Sequence, residues 1–181
     1  MKRLVLFGLV MYTTSAWSQN TVEFNELLKR AQVEFAVPLE TFLKEIRVLK
    51  TDLVEYDYAL KAKQDPVEIR YKIIPTDNNS SPIGSPQIKL TQIASTIASN
   101  EEESGDIVFH RMPDEELAMY NADYGVKTYL HPKSRFSDKK HCKIIFLFAE
   151  NKGMVCTFLL FNKTDIDLSI YEKNLIFIKD I

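Results

Sequence analysis

Three histidines, His110, His131 and His141, are the residues of this chain best suited to proton transfer or metal ligation near neutral pH. They lie 21 and 10 residues apart, and neither spacing matches a compact ligand motif such as two histidines four apart on a helix. Even with Asp123 or a glutamate as a further donor, no metal and no cofactor is expected. Cys142 follows His141 directly and suggests a thiol–imidazole pair. Neighbours on a regular strand point to opposite faces, however, so Cys142 reads instead as a small core hydrophobe. The most distinctive short segment is Tyr120-Asn121-Ala122-Asp123-Tyr124-Gly125. Its amide and carboxylate, set between two phenols, could form the rim of a small-ligand site. Tyr120, Asn121, Asp123, Tyr124 and His131 are accordingly the candidate ligand-binding residues. The same composition also suits a helix C-cap and turn, with Asn121 or Asp123 left-handed and Gly125 releasing the chain into a strand. No catalytic residue is assigned. The enzymatic alternative is a small extracytoplasmic hydrolase using Asp123 with His110 or His131, which needs those groups about 3 Å apart.

These residues depend on the elements that carry them. Phe24, Leu27, Leu28 and Ala31 fall on one stripe and predict a helix over 20–32, with Asn20 and Glu23 as a capping box. A short strand over 33–37 should stop at Pro38; 41–49 reads as either strand or helix, with a strand near 46–49 favoured. Val54, Tyr56, Tyr58 and Leu60 alternate with polar neighbours, as do Val67, Ile69, Tyr71 and Ile73. They predict a hairpin pairing Ala62 with Val67, Tyr58 with Tyr71, Lys61 with Glu68 and Asp57 with Lys72, one face of it wet. The stretch 75–86 reads as a loop, and deletion of it would test a surface-interaction role. Ser85 and Pro86 open a second helix that buries Leu90, Ile93, Ala94, Ile97 and Ala98, ended by the acidic run 100–105. A strand over 107–110, an acidic-started helix over 113–120 and a strand over 124–130 follow. The basic loop 131–140, with Lys133, Arg135, Lys139 and Lys140, and the run Glu101–Glu103 read as solvated faces. The segments 142–149 and 154–161 are apolar on both faces and predict a hairpin at the centre of a sheet. A last strand is expected over 175–178. The fold class is α+β: a mainly antiparallel twisted sheet built from hairpins and covered by two or three helices, an α/β sandwich.

The address lies at the start of the chain. Lys2 and Arg3, the apolar run 4–11 and Ala16-Trp17-Ser18 have the order of a secretory signal peptide, with cleavage near Ser18-Gln19. The expected organisation is therefore a signal peptide over 1–18 and a single α+β domain over 19–181, periplasmic or secreted. The whole chain has 23 basic and 25 acidic residues. Removing Lys2 and Arg3 leaves 21 against 25, a net charge of −4, which offers nucleic acid or anionic lipid no electrostatic attraction. No later apolar stretch approaches the roughly 20 residues of a membrane span. Asn78, Asn79 and Asn162 head sequons that matter only if the host glycosylates exported proteins. Export favours a disulfide between Cys142 and Cys156, but the predicted hairpin opposes it. It sets Cys156 against about Leu147 or Phe148, leaving Cys142 roughly 17–20 Å away, where a bridge needs about 7 Å. No disulfide is expected.

Several residues together carry a resemblance: Phe35-Ala36-Val37-Pro38, Tyr56-Asp57-Tyr58-Ala59-Leu60-Lys61, Glu68-Ile69-Arg70-Tyr71 and Tyr120-Asn121-Ala122-Asp123-Tyr124-Gly125, with the late apolar hairpin. With these, most of 24–178 resembles a family of uncharacterised secreted bacterial proteins having the outline of the PsbP/DcrB-like α/β sandwich. The resemblance implies an accessory or binding factor, and none of its motifs is catalytic. The expectation is an exported, non-enzymatic binding protein whose partner is a protein or a small molecule, not nucleic acid.

Overall fold

A computed structural model describes residues 15–36, 42–76, 85–100 and 106–179. Its spine is a seven-stranded antiparallel sheet in the order β2-β3-β4-β8-β7-β6-β5. The strands are β2 (Leu43–Glu45), β3 (Tyr58–Ala62), β4 (Glu68–Pro75), β5 (Val108–Arg111), β6 (Tyr124–Leu130), β7 (His141–Ala149) and β8 (Gly153–Phe161). A separate two-stranded sheet pairs β1 (Val33–Phe35) with β9 (Leu175–Phe177). Three helices, α1 (Ser15–Arg30), α2 (Pro86–Ile97) and α3 (Asp114–Tyr120), complete the α+β architecture. Among the described residues no helix is long and apolar enough to cross a membrane.

The centre of the large sheet is dry on both sides because alternate residues of its central strands serve two cores, while the edge strand β5 is exposed. Ile69, Tyr71, Ile145, Leu147, Val155 and Leu159 face one core, with Phe24 and Leu28 of α1, Leu117 and Tyr120 of α3, and the small sheet. Cys142, Ile144, Phe146, Cys156, Phe158 and Leu160 face the other, under Leu90, Ile93 and Ile97 of α2 and Phe136 of the loop 131–140. Every residue of β8 is buried, as its place in the middle of a covered sheet requires. In the first core Phe24 stacks on Tyr58 at 4.5 Å, and Phe35 meets Tyr71 edge-on at 5.1 Å.

The hairpin β3–β4 has the predicted register, Tyr58 opposite Tyr71 and Lys61 opposite Glu68, with Ala62 N–H donating to the Val67 carbonyl. Its expected wet face is wet only in part: Lys61 is exposed and Asp57, Glu68 and Lys72 are half-buried, but Ala59 and Arg70 are buried. The Arg70 guanidinium lies between the rings of Tyr56 (4.6 Å) and Phe136 (4.9 Å). It also donates to the Phe136 carbonyl at 2.5 Å and to Glu68 at 2.6 Å. A buried cation held by rings and acceptors lets the loop close over this face.

Other boundaries moved. The first helix runs continuously from Ser15, so Asn20 lies inside it and is not its cap. β1 ends at Phe35, and the corner at 37–38 lies outside the described residues. The second strand falls at 43–45 and not at 46–49, because Leu43 aligns with Ala62 to extend the sheet. β3 begins at Tyr58; Tyr56 instead uses its hydroxyl to accept from the Leu49 N–H. The predicted loop 75–86 loses its ends to β4 and α2, while 77–84 and the acidic run 101–105 lie outside the described residues. α2, α3 and β6 form where expected, α3 carrying Asp114, Glu115 and Glu116 in its first turn. The last strand pairs with β1 and stays out of the large sheet.

The β7–β8 register corrects the cysteine geometry while keeping its consequence. Cys156 faces Phe146, not Leu147 or Phe148, because the chain turns through three residues, Glu150 to Lys152, and pairing resumes at Gly153. Cys142 faces Leu160 and stands four residues from Phe146, about 13 Å along the strand. Both thiols are free and buried. Burial pushes the Cys156 thiol up to about 12 and raises Cys142 as well, which suppresses thiolate chemistry. A thiol reagent should therefore label neither cysteine in the native protein and both after denaturation. Rapid native labelling, or an intact mass short by two hydrogens, would contradict this packing.

Candidate functional site

Where β6 ends, β7 begins and β8 ends, strand alternation sends Tyr129 and His131, His141 and Lys143, and Phe161 to one face of the sheet. Helices α1 and α3 do not reach this corner. The segment 164–172 walls it instead, leaving a cleft of about 540 Å³ lined also by Thr164, Ile166, Asp167, Leu168, Ser169 and Glu172. Such a volume suits a small organic ligand.

The two histidines are opposed across the strands. Leu130 pairs with Cys142, so His131 and His141 meet one step further, their ring centres 5.0 Å apart. His141 leans on the Phe161 ring at 5.4 Å. The backbone of His131 is pinned by the end of α2: its carbonyl accepts from the Ser99 N–H at 2.7 Å, and Lys133 N–H donates to the Ile97 carbonyl at 2.7 Å. Lys133 Nζ also caps the Thr96 carbonyl at 2.8 Å, satisfying a helix-end acceptor. Burial, His131 and Lys140 together lower the His141 pKa from its ordinary value.

The floor of the cleft is charged but internally balanced. Glu172 accepts from Lys143 at 2.5 Å and from Lys127 at 2.8 Å, and Lys127 also reaches Glu116 of α3 at 2.5 Å. Burial alone would raise the Glu172 carboxyl, but hydrogen bonds from the two lysines reverse this and hold it below its ordinary value. Lys143 Nζ also sits 5.0 Å from the Tyr129 ring centre. Behind this network the Tyr120 hydroxyl is buried without a hydrogen-bond partner among the described residues, and burial pushes its pKa up to about 12.

The sequence-predicted site residues do not converge. Asn121 is left-handed (φ 51°) at the end of α3 and donates its side-chain amide to the Phe177 carbonyl at 2.7 Å. Asp123 accepts from the Glu150 N–H at 2.7 Å. Tyr124 is half-buried edge-on against Phe146, and the Tyr120 ring is buried in the core. All four stand at one end of β6, while His131 stands at the other. Eight residues of extended chain separate Asp123 from His131, about 26 Å. His110 pairs with Lys127, about 13 Å along the strand from Asp123. Asp123 therefore meets neither histidine, and the hydrolase arrangement is not formed. His141 lies in the first core's face and Cys142 in the second, so they form no dyad. Among the described residues no group of three or more His, Cys, Asp or Glu is close enough to hold a metal ion.

Of the candidates, only His131 lies in the cleft. His141, Lys143, Phe161, Tyr129 and Glu172 were missed as a group. A signal existed: pairing 124–130 with 142–149 as antiparallel neighbours brings His131 opposite His141. The nine residues between the histidines read as a separating loop, and that concealed it. Comparison with protein-family models, with curated proteins and with solved structures finds no match to this chain.

Proposed function

We propose that this protein is an exported, non-enzymatic accessory or binding protein that takes a small, partly apolar ligand into the cleft beside His131 and His141. The observation that carries this is the cleft itself: about 540 Å³, with Tyr129 and Phe161 as apolar walls and imidazole, hydroxyl and carboxylate groups at the rim. Polar and apolar groups share the wall about equally, so a ligand with both kinds of surface can be oriented there without chemistry. The separation of Asp123 from His110 and His131, and of Cys142 from His141, supports binding over hydrolysis. The order of basic, apolar and small residues at 2–18 supports export. A sheet covered on both faces supports kinship with PsbP/DcrB-like sandwiches, though fold alone assigns no role.

Ser169 lines the cleft from an exposed position, so Ser169→Trp should fill the space without disturbing the core. Screened by ligand-observed NMR against small aromatic carboxylates and heterocycles, the wild-type protein is expected to retain binders. The variant should bind the same compounds about tenfold more weakly or worse, with its melting temperature unchanged. Binders that ignore the substitution would place the ligand elsewhere, and a wild type without binders would remove the proposal.

A further inference from the structure

We propose that His131 and His141 form a two-imidazole site for a divalent ion of the zinc class, with its remaining coordination positions open to the cleft. This deepens the cleft assignment and rests on it. Zinc takes imidazole nitrogens at about 2.1 Å, and each ring centre lies roughly 1.2 Å beyond its nitrogen. One shared ion therefore sets two ring centres about 5.3 Å apart at a tetrahedral angle and about 4.6 Å apart at a right angle. The observed 5.0 Å lies inside that interval.

The His141 ring and the His131 backbone are held in place, while the His131 ring is exposed. His131 extends from a strand end clamped to α2 by two backbone hydrogen bonds, and His141 rests on Phe161. Held in this way, His141 loses little side-chain freedom when an ion arrives, and His131 has only its ring rotation left to fix. Of the neighbouring cations, Lys140 beside His141 is exposed to solvent, which screens it. Lys143, the nearest buried cation on β7, is engaged by Glu172 at 2.5 Å, and Asp167 contributes a carboxylate to the same wall. With no third His, Cys, Asp or Glu gathered there among the described residues, the other positions fall to water or to donor atoms of the bound ligand. That makes an oxygen- or nitrogen-donor ligand, a carboxylate above all, the class the cleft would select in the presence of the ion.

The test is a calorimetric titration of Zn²⁺ into the whole protein after dialysis against a chelator. One ion per chain is expected, with binding about tenfold weaker or worse in His131→Gln and in His141→Gln. His110→Gln, altered on β5 away from the cleft, should bind as the wild type does. NMR on the wild type needs no variant: imidazole signals of His131 and His141 should shift on adding Zn²⁺ while those of His110 stay. Absent uptake, or uptake indifferent to both substitutions with all three imidazoles unmoved, would overturn the ion site. If Zn²⁺ is refused while Ser169→Trp still abolishes compound binding, the ion site fails and the cleft stands. If compound binding fails as well, both fall.

Discussion

Glu172→Gln is expected to lower the free energy of unfolding by about 3 kcal/mol, because it leaves the buried Lys143 facing a neutral amide. Glu172 and Lys143 side chains are each only 10 % exposed, so the loss belongs to the buried class and not to the near-neutral surface class. Removing one partner leaves Lys143 buried and uncompensated, while Lys127 keeps Glu116. For a domain of this size the melting temperature should fall by roughly 6–12 °C. Adding Lys143→Met should recover part of the loss, since an apolar replacement removes the stranded charge. The pH dependence follows from the direction of the shift. The folded Glu172 carboxyl is held below its ordinary value near 4.5, so its contribution is complete above that value. It fades as pH falls through the folded value. Burial raises Asp57 and so acts in the opposite sense; stability present when that carboxyl is protonated is lost as pH rises through its folded pKa. The gap between wild type and Glu172→Gln isolates the first effect. Denaturant titrations from pH 3 to pH 7 should show this gap constant at the upper end and narrowing at the lower. A gap under about 1 kcal/mol at pH 7, or one that widens in acid, would mean that the lysines hold Glu172 no better than water does.

Gly153→Ala should cost at least as much, for an unrelated reason. Gly153 opens β8 at φ 142°, a conformation that side chains rarely tolerate. An added methyl there would collide with the Ile74 carbonyl of β4, and with Pro75 Cα at 3.0 Å. Both obstacles are backbone of the neighbouring strand, paired at Pro75 with Gly153, so nothing soft can yield. Strain and overpacking together predict a loss of about 3 kcal/mol or more. Gly125→Ala is the comparison. Its new methyl would meet the ends of Leu117 and Met112 at 2.7 Å, which are flexible side chains, and about 1 kcal/mol is expected. Urea unfolding of the two variants should separate them clearly. Equal losses would show that the β4–β8 junction adjusts as readily as a side chain.

What could be read from the sequence was whatever neighbouring residues decide among themselves. The helix at 114–120 follows from Pro113, three acidic residues and Asn121. The strand at 124–130 follows from alternation between that turn and His131-Pro132. The Tyr58–Tyr71 register follows from two alternating runs joined by a short turn. What escaped was decided by residues far apart in the chain. Arg70 looks solvated until Phe136, sixty-six positions later, closes over it. Leu43 is a strand residue only because Ala62 is there to pair with. The cleft needs β6, β7, β8 and the segment 164–172 at once, and its ion network joins Lys143 to Glu172 across twenty-nine positions. Asn121 and Asp123 drew attention as polar groups near aromatics, yet each satisfies a backbone partner and so completes a turn.

The placement of the cysteines bears on how this protein matures. Cys142 and Cys156 act as packing atoms on the dry side of the sheet, four residue pairs apart in the ladder and unable to meet. The native state thus requires no oxidant and no isomerase to sort pairings. Nor does it change its covalent structure between a reducing and an oxidising compartment. Such a chain could complete the same fold in either kind of compartment, with closure of the central hairpin and not formation of a bridge joining its middle strands.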